Sequence, residues 1–294
     1  MKTSSKRSKR HLRVIRTLPT LRRAIADLRA RRNTVALVPT MGALHAGHFS
    51  LLRSAQRRAD RVIVSIFVNP AQFASNEDLN TYPRSLEADL AALAELKADL
   101  VWAPSVETMY PAGFATRIVP EGPATAGLED AFRPHFFAGV ATVVAKLLIQ
   151  CEPDIAMFGE KDYQQLKVVT QLARNLGLKT RIVGVPIVRE RDGLALSSRN
   201  RYLSPRERDT APALYRVLKQ CAGEIAAGQT ITAVIDEGRQ AIARAGLAVD
   251  YLEARHSETL APLTISKRTS KSEPIRLIVA ARIGNTRLID NIAV

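Results

Sequence analysis

Two histidines three residues apart, His45 and His48, stand in Leu37-Val-Pro-Thr-Met-Gly-Ala-Leu-His-Ala-Gly-His48, between an apolar run and a helical pattern. Val35 to Val38 has the composition of a buried strand, and Leu51, Leu52, Ala55 and Ala59 recur at the spacing of an amphipathic helix. A turn joining such elements lies outside the carboxyl end of the strand, where the unpaired N–H groups of the helix start favour an anion. Two imidazoles there donate hydrogen bonds to phosphates and, when protonated, offset charge developing on a leaving pyrophosphate. Gly47 is expected to leave room for a close approach. The same pair also suits a polar surface or half of a zinc site, but zinc asks for more ligands. Cys151 and Cys221 are isolated, and His11, His135 and His256 form no partner motif, so no metal site is assigned. Gly42 and Gly47 have the spacing of a P-loop, yet His48 and Phe49 follow where Lys and Ser or Thr belong, and no G-x-G-x-x-G occurs.

A second turn repeats this arrangement. The strand pattern Asp154 to Phe158 runs into Gly159, Glu160, Lys161 and Asp162, then Gln165. Lys161 suits a phosphate, Asp162 a metal or a ribose hydroxyl, and Gln165 offers an amide to a substrate. A charged first helical turn is the plainer reading of the same residues. Two glycine-bearing turns after buried strands argue for a nucleotide cleft. Asn69 and Gln72 follow the buried run Val62 to Val68, where they either bind a small polar substrate or cap a loop. Leu196-Ser197-Ser198-Arg199 supplies hydroxyls and a guanidinium, which suit a triphosphate or a polar linker.

The elements that must carry these residues follow from pattern. Helices are expected over Leu18 to Arg31, Ser85 to Lys97 and Gly139 to Ile149, and strands over Leu100 to Trp102 and Lys179 to Pro186. Pro104 to Pro134 reads as an irregular excursion over the site. Ser204-Pro-Arg-Glu207 is a capping box that starts a helix to Ala227, and a second helix spans Ile231 to Ala245. Strands near Val249 to Glu253, Ile275 to Ile283 and Arg287 to Ile292 follow, with Gly284-Asn285 as a hairpin turn. The expected fold is α/β, a Rossmann-like domain with a parallel sheet over residues 12–188 and a smaller α+β domain over 189–294.

Composition narrows the class. Of the net charge of +15, residues 1–33 carry +11, with twelve Lys or Arg against Asp27, which leaves +4 for the other 261 residues. The excess is an arm and a first helix, so nucleic acid is not the expected partner. Residues 1–11 read as a basic disordered tail. No apolar stretch has the length of a membrane span or a secretory signal, and two unpaired-looking cysteines point to a reducing, cytoplasmic setting.

Five segments in register, Pro39 to His48, Phe67 to Phe73, Tyr82-Pro83-Arg84, Phe158 to Leu166 and Leu196 to Asn200, resemble the pantothenate synthetase family from about Arg16 onward. The resemblance implies a class I nucleotidyltransferase-like fold, a C-terminal lid, ATP as cosubstrate with its Mg2+, a homodimer, and condensation of pantoate with β-alanine through pantoyl adenylate. It assigns ATP contacts to Met41, Gly42, Ala43, Leu44, His45, Ala46, Gly47 and His48, to Gly159, Glu160, Lys161 and Asp162, and to Val188, Leu196, Ser197, Ser198 and Arg199. His48 matches the family's proton donor and His45 its partner, with Lys161, Ser197, Ser198 and Arg199 steadying phosphates. Gln72 and Gln165 match pantoate ligands, beside Asn69. One departure is local: the family's His-Phe-x-Gly-Val is here Phe136-Phe137-Ala138-Gly139-Val140, with the imidazole one residue earlier at His135, which is left outside the expected site.

Overall fold

In the computed structural model, which describes residues 12–73, 79, 81–83, 85–263 and 274–294, the buried apolar runs become parallel strands. β1 (Arg13–Ile15), β2 (Val35–Thr40), β3 (Arg61–Ile66), β4 (Leu100–Trp102), β5 (Ile155–Gly159) and β6 (Arg181–Val185) pair in the order β1-β4-β3-β2-β5-β6. Every neighbouring pair is parallel. Parallel sheets are covered on both faces, and β2 shows how. Val35 and Leu37 face a core built with α1 (Leu18–Ala30), while Ala36 and Val38 face one built with α2 (Ala46–Gln56) and α3 (Leu86–Glu95). The chain steps from β2 through β3 to β4 on one side, then returns to β5 and β6 on the other. That reversal opens a crevice at the carboxyl ends of β2 and β5.

The stretch read as irregular, Pro104 to Pro134, holds two single-turn helices, α4 (Val106–Met109) and α5 (Glu129–Phe132), with a 3-10 turn at Gly122–Thr125 between them. Runs of four residues show no helical period, so pattern could not register them. α6 (Phe136–Cys151) and α7 (Tyr163–Asn175) complete the layer over α1. β1 was not expected either: three residues at a sheet edge, two of them exposed, carry no strand signature.

Beyond the sheet, the helix expected from Pro205 to Ala227 is two, α8 (Pro205–Thr210) and α9 (Ala213–Ala226). Pro212 lacks the N–H that a continuous helix needs. α9 and α10 (Ile231–Arg244) pack on an antiparallel sheet of β7 (Ala248–His256), β8 (Ile275–Ile283) and β9 (Thr286–Ala293). The two-residue turn Gly284-Asn285 joins β8 to β9 as expected, pairing Ile283 with Thr286. The basic arm 1–11 lies outside the described residues, among which no helix is long and apolar enough to cross a membrane.

One contact decides how β3 delivers its loop. α6 meets the turn Pro70–Gln72 at Gly139, where a Cβ would lie 2.6 Å from the Ala71 carbonyl carbon and 3.0 Å from Gln72 N. Both are main-chain atoms and cannot rotate away. Gly139→Ala is therefore expected to destabilise the protein by about 1–3 kcal/mol through overpacking. Gly223→Ala, on α9 with nothing within 4 Å of the added methyl, is expected to be neutral or stabilising. Thermal melts of the two variants check the contrast, and equal melting temperatures would contradict it.

Candidate active site

β2 ends at Thr40, and the chain leaves the sheet through Gly42 and Ala43, both left-handed with φ of 83° and 50°. At Gly42 an added Cβ would stand 3.1 Å from Asp89 Oδ2, so glycine is required for both backbone and space. Asp89, buried on α3, accepts the Ala43 N–H at 2.9 Å and the Leu44 N–H at 2.8 Å on its two oxygens. The turn is held from below by one carboxylate.

His45 is the N-cap of α2 and His48 its third residue. Nδ1 of His45 accepts the Gly47 N–H at 3.1 Å, and Nδ1 of His48 accepts the His45 N–H at 3.3 Å. The two imidazoles thus form a reciprocal capping box, the work usually done by Ser and Glu. A neutral ring whose Nδ1 accepts carries its proton on Nε2, so both rings are Nε2–H donors. Their centroids are 4.2 Å apart. Burial, reinforced by Lys161 and Arg201, holds the His45 pKa down at about 4 against the pull of Asp162. Burial, His45 and Lys161 hold His48 at about 3. Gly47 has a different reason from the one expected: a Cβ there would meet His45 Cε1 at 2.8 Å, so the close approach it permits is that of the His45 ring.

Across the switch point, β5 ends at Gly159 and a 3-10 turn, Glu160–Asp162, leads into α7. Gly159, Lys161 and Asp162 line the same crevice as Met41, His45, Gly47 and His48, a cavity of about 590 Å³. Val188, Leu196, Ser197, Ser198 and Arg199 form another of its walls. Ser197 caps its own turn by accepting the Arg199 N–H, and Tyr82 Oη lies 3.4 Å from Ser198 Oγ. Arg84 of the Tyr82-Pro83-Arg84 segment lies outside the described residues. Gly42, Ala43, Leu44 and Ala46 shape the first turn without lining the cavity, and Glu160 bonds away from it to Arg276 Nη2 at 3.2 Å.

Gln72 and Gln165 line the cavity too, and Asn69 does not. Asn69 is buried behind Gln72, donating from Nδ2 to Gln72 Oε1 at 2.9 Å and to the Gly139 carbonyl at 3.2 Å. Its Oδ1 accepts the Tyr110 hydroxyl, whose pKa burial pushes up to about 12. With Oε1 engaged, the Gln72 amide keeps its Nε2 donors for the crevice. Phe67, Val140, Val143, Val144 and Leu147 make the neighbouring wall apolar.

Several residues of the site were not expected. Arg133 lies over the Phe136 ring at 3.8 Å and donates to the Gln72 carbonyl at 3.1 Å, and exposed His135 reaches the cavity beside them. Glu129 accepts two bonds from Arg287 Nη1 at 2.8 and 2.7 Å and the Tyr251 hydroxyl at 2.7 Å. Arg287 Nε also bonds Asp250 at 2.6 Å. This buried cluster joins α5 to β7 and β9, and residues so far apart in the chain leave no local signal. Among the described residues, no group of three His, Cys, Asp or Glu is gathered to hold a metal ion.

Opposed turns at a topological switch, offering imidazole, ammonium and hydroxyl donors to one cavity, define a nucleotide-using enzyme of the Rossmann-like α/β class. The chain matches the model of the pantoate-beta-alanine ligase family over residues 13–293. It is 63% identical over 281 residues to the pantothenate synthetase of Nitrobacter hamburgensis, covering 96% of this chain and 98% of that one. The crystal structure of pantothenate synthetase from Thermus thermophilus superposes with a TM-score of 0.88 at 48% identity, covering 95% of this chain and 98% of that one. The pantoate-beta-alanine ligase from Francisella tularensis, complexed with beta-gamma ATP and beta-alanine, superposes at 0.79 with 34% identity, covering 96% and 97%. The chain belongs to the pantoate-beta-alanine ligase family.

The histidines also make stability depend on pH. Because their folded pKa values lie below 6.5, the unfolded chain binds protons first on acidification. Their contribution is complete above about pH 6.5 and is lost as the pH falls toward 4 and then 3. The urea midpoint of the ligand-free protein is therefore expected to fall between about pH 7 and about pH 5, and to fall less in His48→Gln. Identical slopes for the two proteins would contradict the assignment.

Proposed function

We propose that this chain condenses pantoate with β-alanine in two steps within one crevice, consuming ATP and releasing AMP and pyrophosphate. The observation that carries the reading is the convergence of His45, His48, Lys161, Ser197, Ser198 and Arg199 on the cavity that also holds Gln72 and Gln165. In the first step a pantoate carboxylate oxygen attacks the α-phosphorus of ATP, and the bond to the bridging oxygen breaks as pyrophosphate leaves. In the second, the amine of β-alanine attacks the acyl carbonyl, the bond to AMP breaks, and the amine gives up a proton.

The residues contribute positioning and electrostatics rather than a covalent intermediate. Neutral His45 and His48 donate hydrogen bonds from Nε2–H to phosphate oxygens, which offsets the charge developing there without a second proton on either ring. Lys161 and Arg199 offset charge on the leaving pyrophosphate, and the Ser197 and Ser198 hydroxyls orient it. Gln72 and Gln165 take the hydroxyls and carboxylate of pantoate, with Asn69 orienting Gln72, while the wall of Phe67, Val140, Val143, Val144 and Leu147 accommodates its geminal methyl groups. Asp162, the carboxylate beside Lys161 in the crevice wall, is the residue that would hold a Mg2+ brought in with the nucleotide, and that ion would neutralise phosphate charge.

The same reading divides the chain near residue 188 into an ATP- and pantoate-binding domain and a C-terminal lid, and it includes a cytoplasmic homodimer. Exchange of labelled pyrophosphate into ATP is expected to require pantoate alone, and AMP release to require β-alanine as well. Failure of pantoate to promote exchange would overturn the function. His48→Ala is expected to lower kcat by about 100-fold or more, with the far-ultraviolet spectrum kept and the melting temperature falling only modestly, as the loss of one cap hydrogen bond requires.

A further inference from the structure

β9 runs behind the Lys161 turn, and one of its residues grips that turn by the main chain. Asn291 Nδ2 donates to the carbonyls of Glu160 and Lys161 at 2.9 and 3.0 Å, while its Oδ1 accepts Arg276 Nε from β8 at 2.7 Å. Only one orientation of the amide satisfies this pattern, because reversal would set an oxygen against two carbonyls and an NH2 against a guanidinium. Arg276 continues to the Glu160 carboxylate at 3.2 Å, and its guanidinium lies 4.2 Å above the Tyr163 ring at the start of α7.

Asn291 is itself fixed. It is 1% exposed, and its N–H donates to Asp290 Oδ1 at 2.7 Å. The Asp290 carboxylate pairs with both terminal nitrogens of Arg189, at 2.6 and 2.9 Å, one residue after Val188. Neither Asn291 nor Arg276 forms part of the crevice wall, so neither touches what binds there.

We propose that Asn291 is a positioning residue for the phosphate chemistry: through the 160–161 main chain it sets where the Lys161 side chain begins, and so ties that ammonium to the C-terminal sheet. The proposal rests on the role given to Lys161 above. A lysine stem is flexible, so the placement of its charge depends on the anchorage of its backbone. The turn that carries it is three residues long and has its carbonyls at 160 and 161 held from the other sheet. A misplacement of about 1 Å at a charge-stabilising group costs on the order of 100-fold in rate.

Asn291→Asp keeps the side-chain shape and the Arg276 partner but sets a carboxylate oxygen against two carbonyls. Asn291→Ser removes both contacts without adding charge and carries the same test should a buried carboxylate prevent folding. Each folded variant is expected to lose about tenfold or more in pantoate-dependent pyrophosphate exchange. Made in a Lys161→Ala background, the same changes are expected to cost less than about twofold, since the group they place is gone. A loss that persists undiminished in that background, or parental exchange in folded Asn291→Ser, would overturn the proposal. Parental exchange in Lys161→Ala alone would instead remove the role of Lys161, and the proposal with it.

Discussion

The site depends on a hydrogen bond that histidine is rarely asked to make. Nδ1 of His45 and Nδ1 of His48 accept the main-chain N–H groups of Gly47 and His45 that open α2. While those bonds stand, neither ring can carry a second proton without turning two hydrogens against each other. Burial pushes in the same direction, and both pKa values fall far below 6.5. The outcome is a pair of rings with fixed tautomer and fixed donor atoms, Nε2, set by the helix they cap. Fixed donors cost no reorganisation when charge develops on a phosphate.

A cap is only as well placed as the turn before it. Gly42 and Ala43 are left-handed, a conformation that costs a non-glycine residue energy unless something holds it. Asp89 supplies the hold, taking two successive N–H groups on one carboxylate from the neighbouring helix. The sheet then fixes what the turn faces. β2 and β5 are adjacent, Ala36 pairing with Ile155, although β3, β4 and five helices intervene along the chain. The second turn, with Lys161, therefore stands beside the first by topology rather than by sequence neighbourhood.

Much of this was legible in the residues because local patterns report local structure. Val35 to Val38 and Val62 to Val68 read as buried strands, Ser204-Pro205-Arg206-Glu207 read as a helix start, and Gly284-Asn285 as a turn, since each pattern spans the distance over which its physics acts. What escaped acts over longer range. Asp89 looks like any acidic residue in the first turn of a helix until the fold brings Ala43 and Leu44 to it. Gly47 is conspicuous in sequence, yet the neighbour that needs its space is the ring two residues earlier. Glu129, Tyr251 and Arg287 come from three separate stretches, and only the packing of α5 on the C-terminal sheet makes them one cluster.

That cluster bears on how the two sheets meet. A buried ion pair seldom exceeds in stability the apolar residues that might replace it, because both charges must leave water. Yet the boundary here is bridged by Glu129 with Arg287 and by Arg276 with Glu160. Apolar contacts tolerate sliding, whereas these bonds have direction: Arg287 meets both oxygens of Glu129, and Arg276 Nη2 meets Glu160 Oε2. They therefore set the register of one sheet against the other. Register matters because the walls of the crevice come from both sides, with Lys161 and Gln72 from the first and Ser198 and Arg287 from beyond Val188. The charged seam sacrifices some stability for orientation, and orientation is what a reaction governed by the placement of phosphates demands.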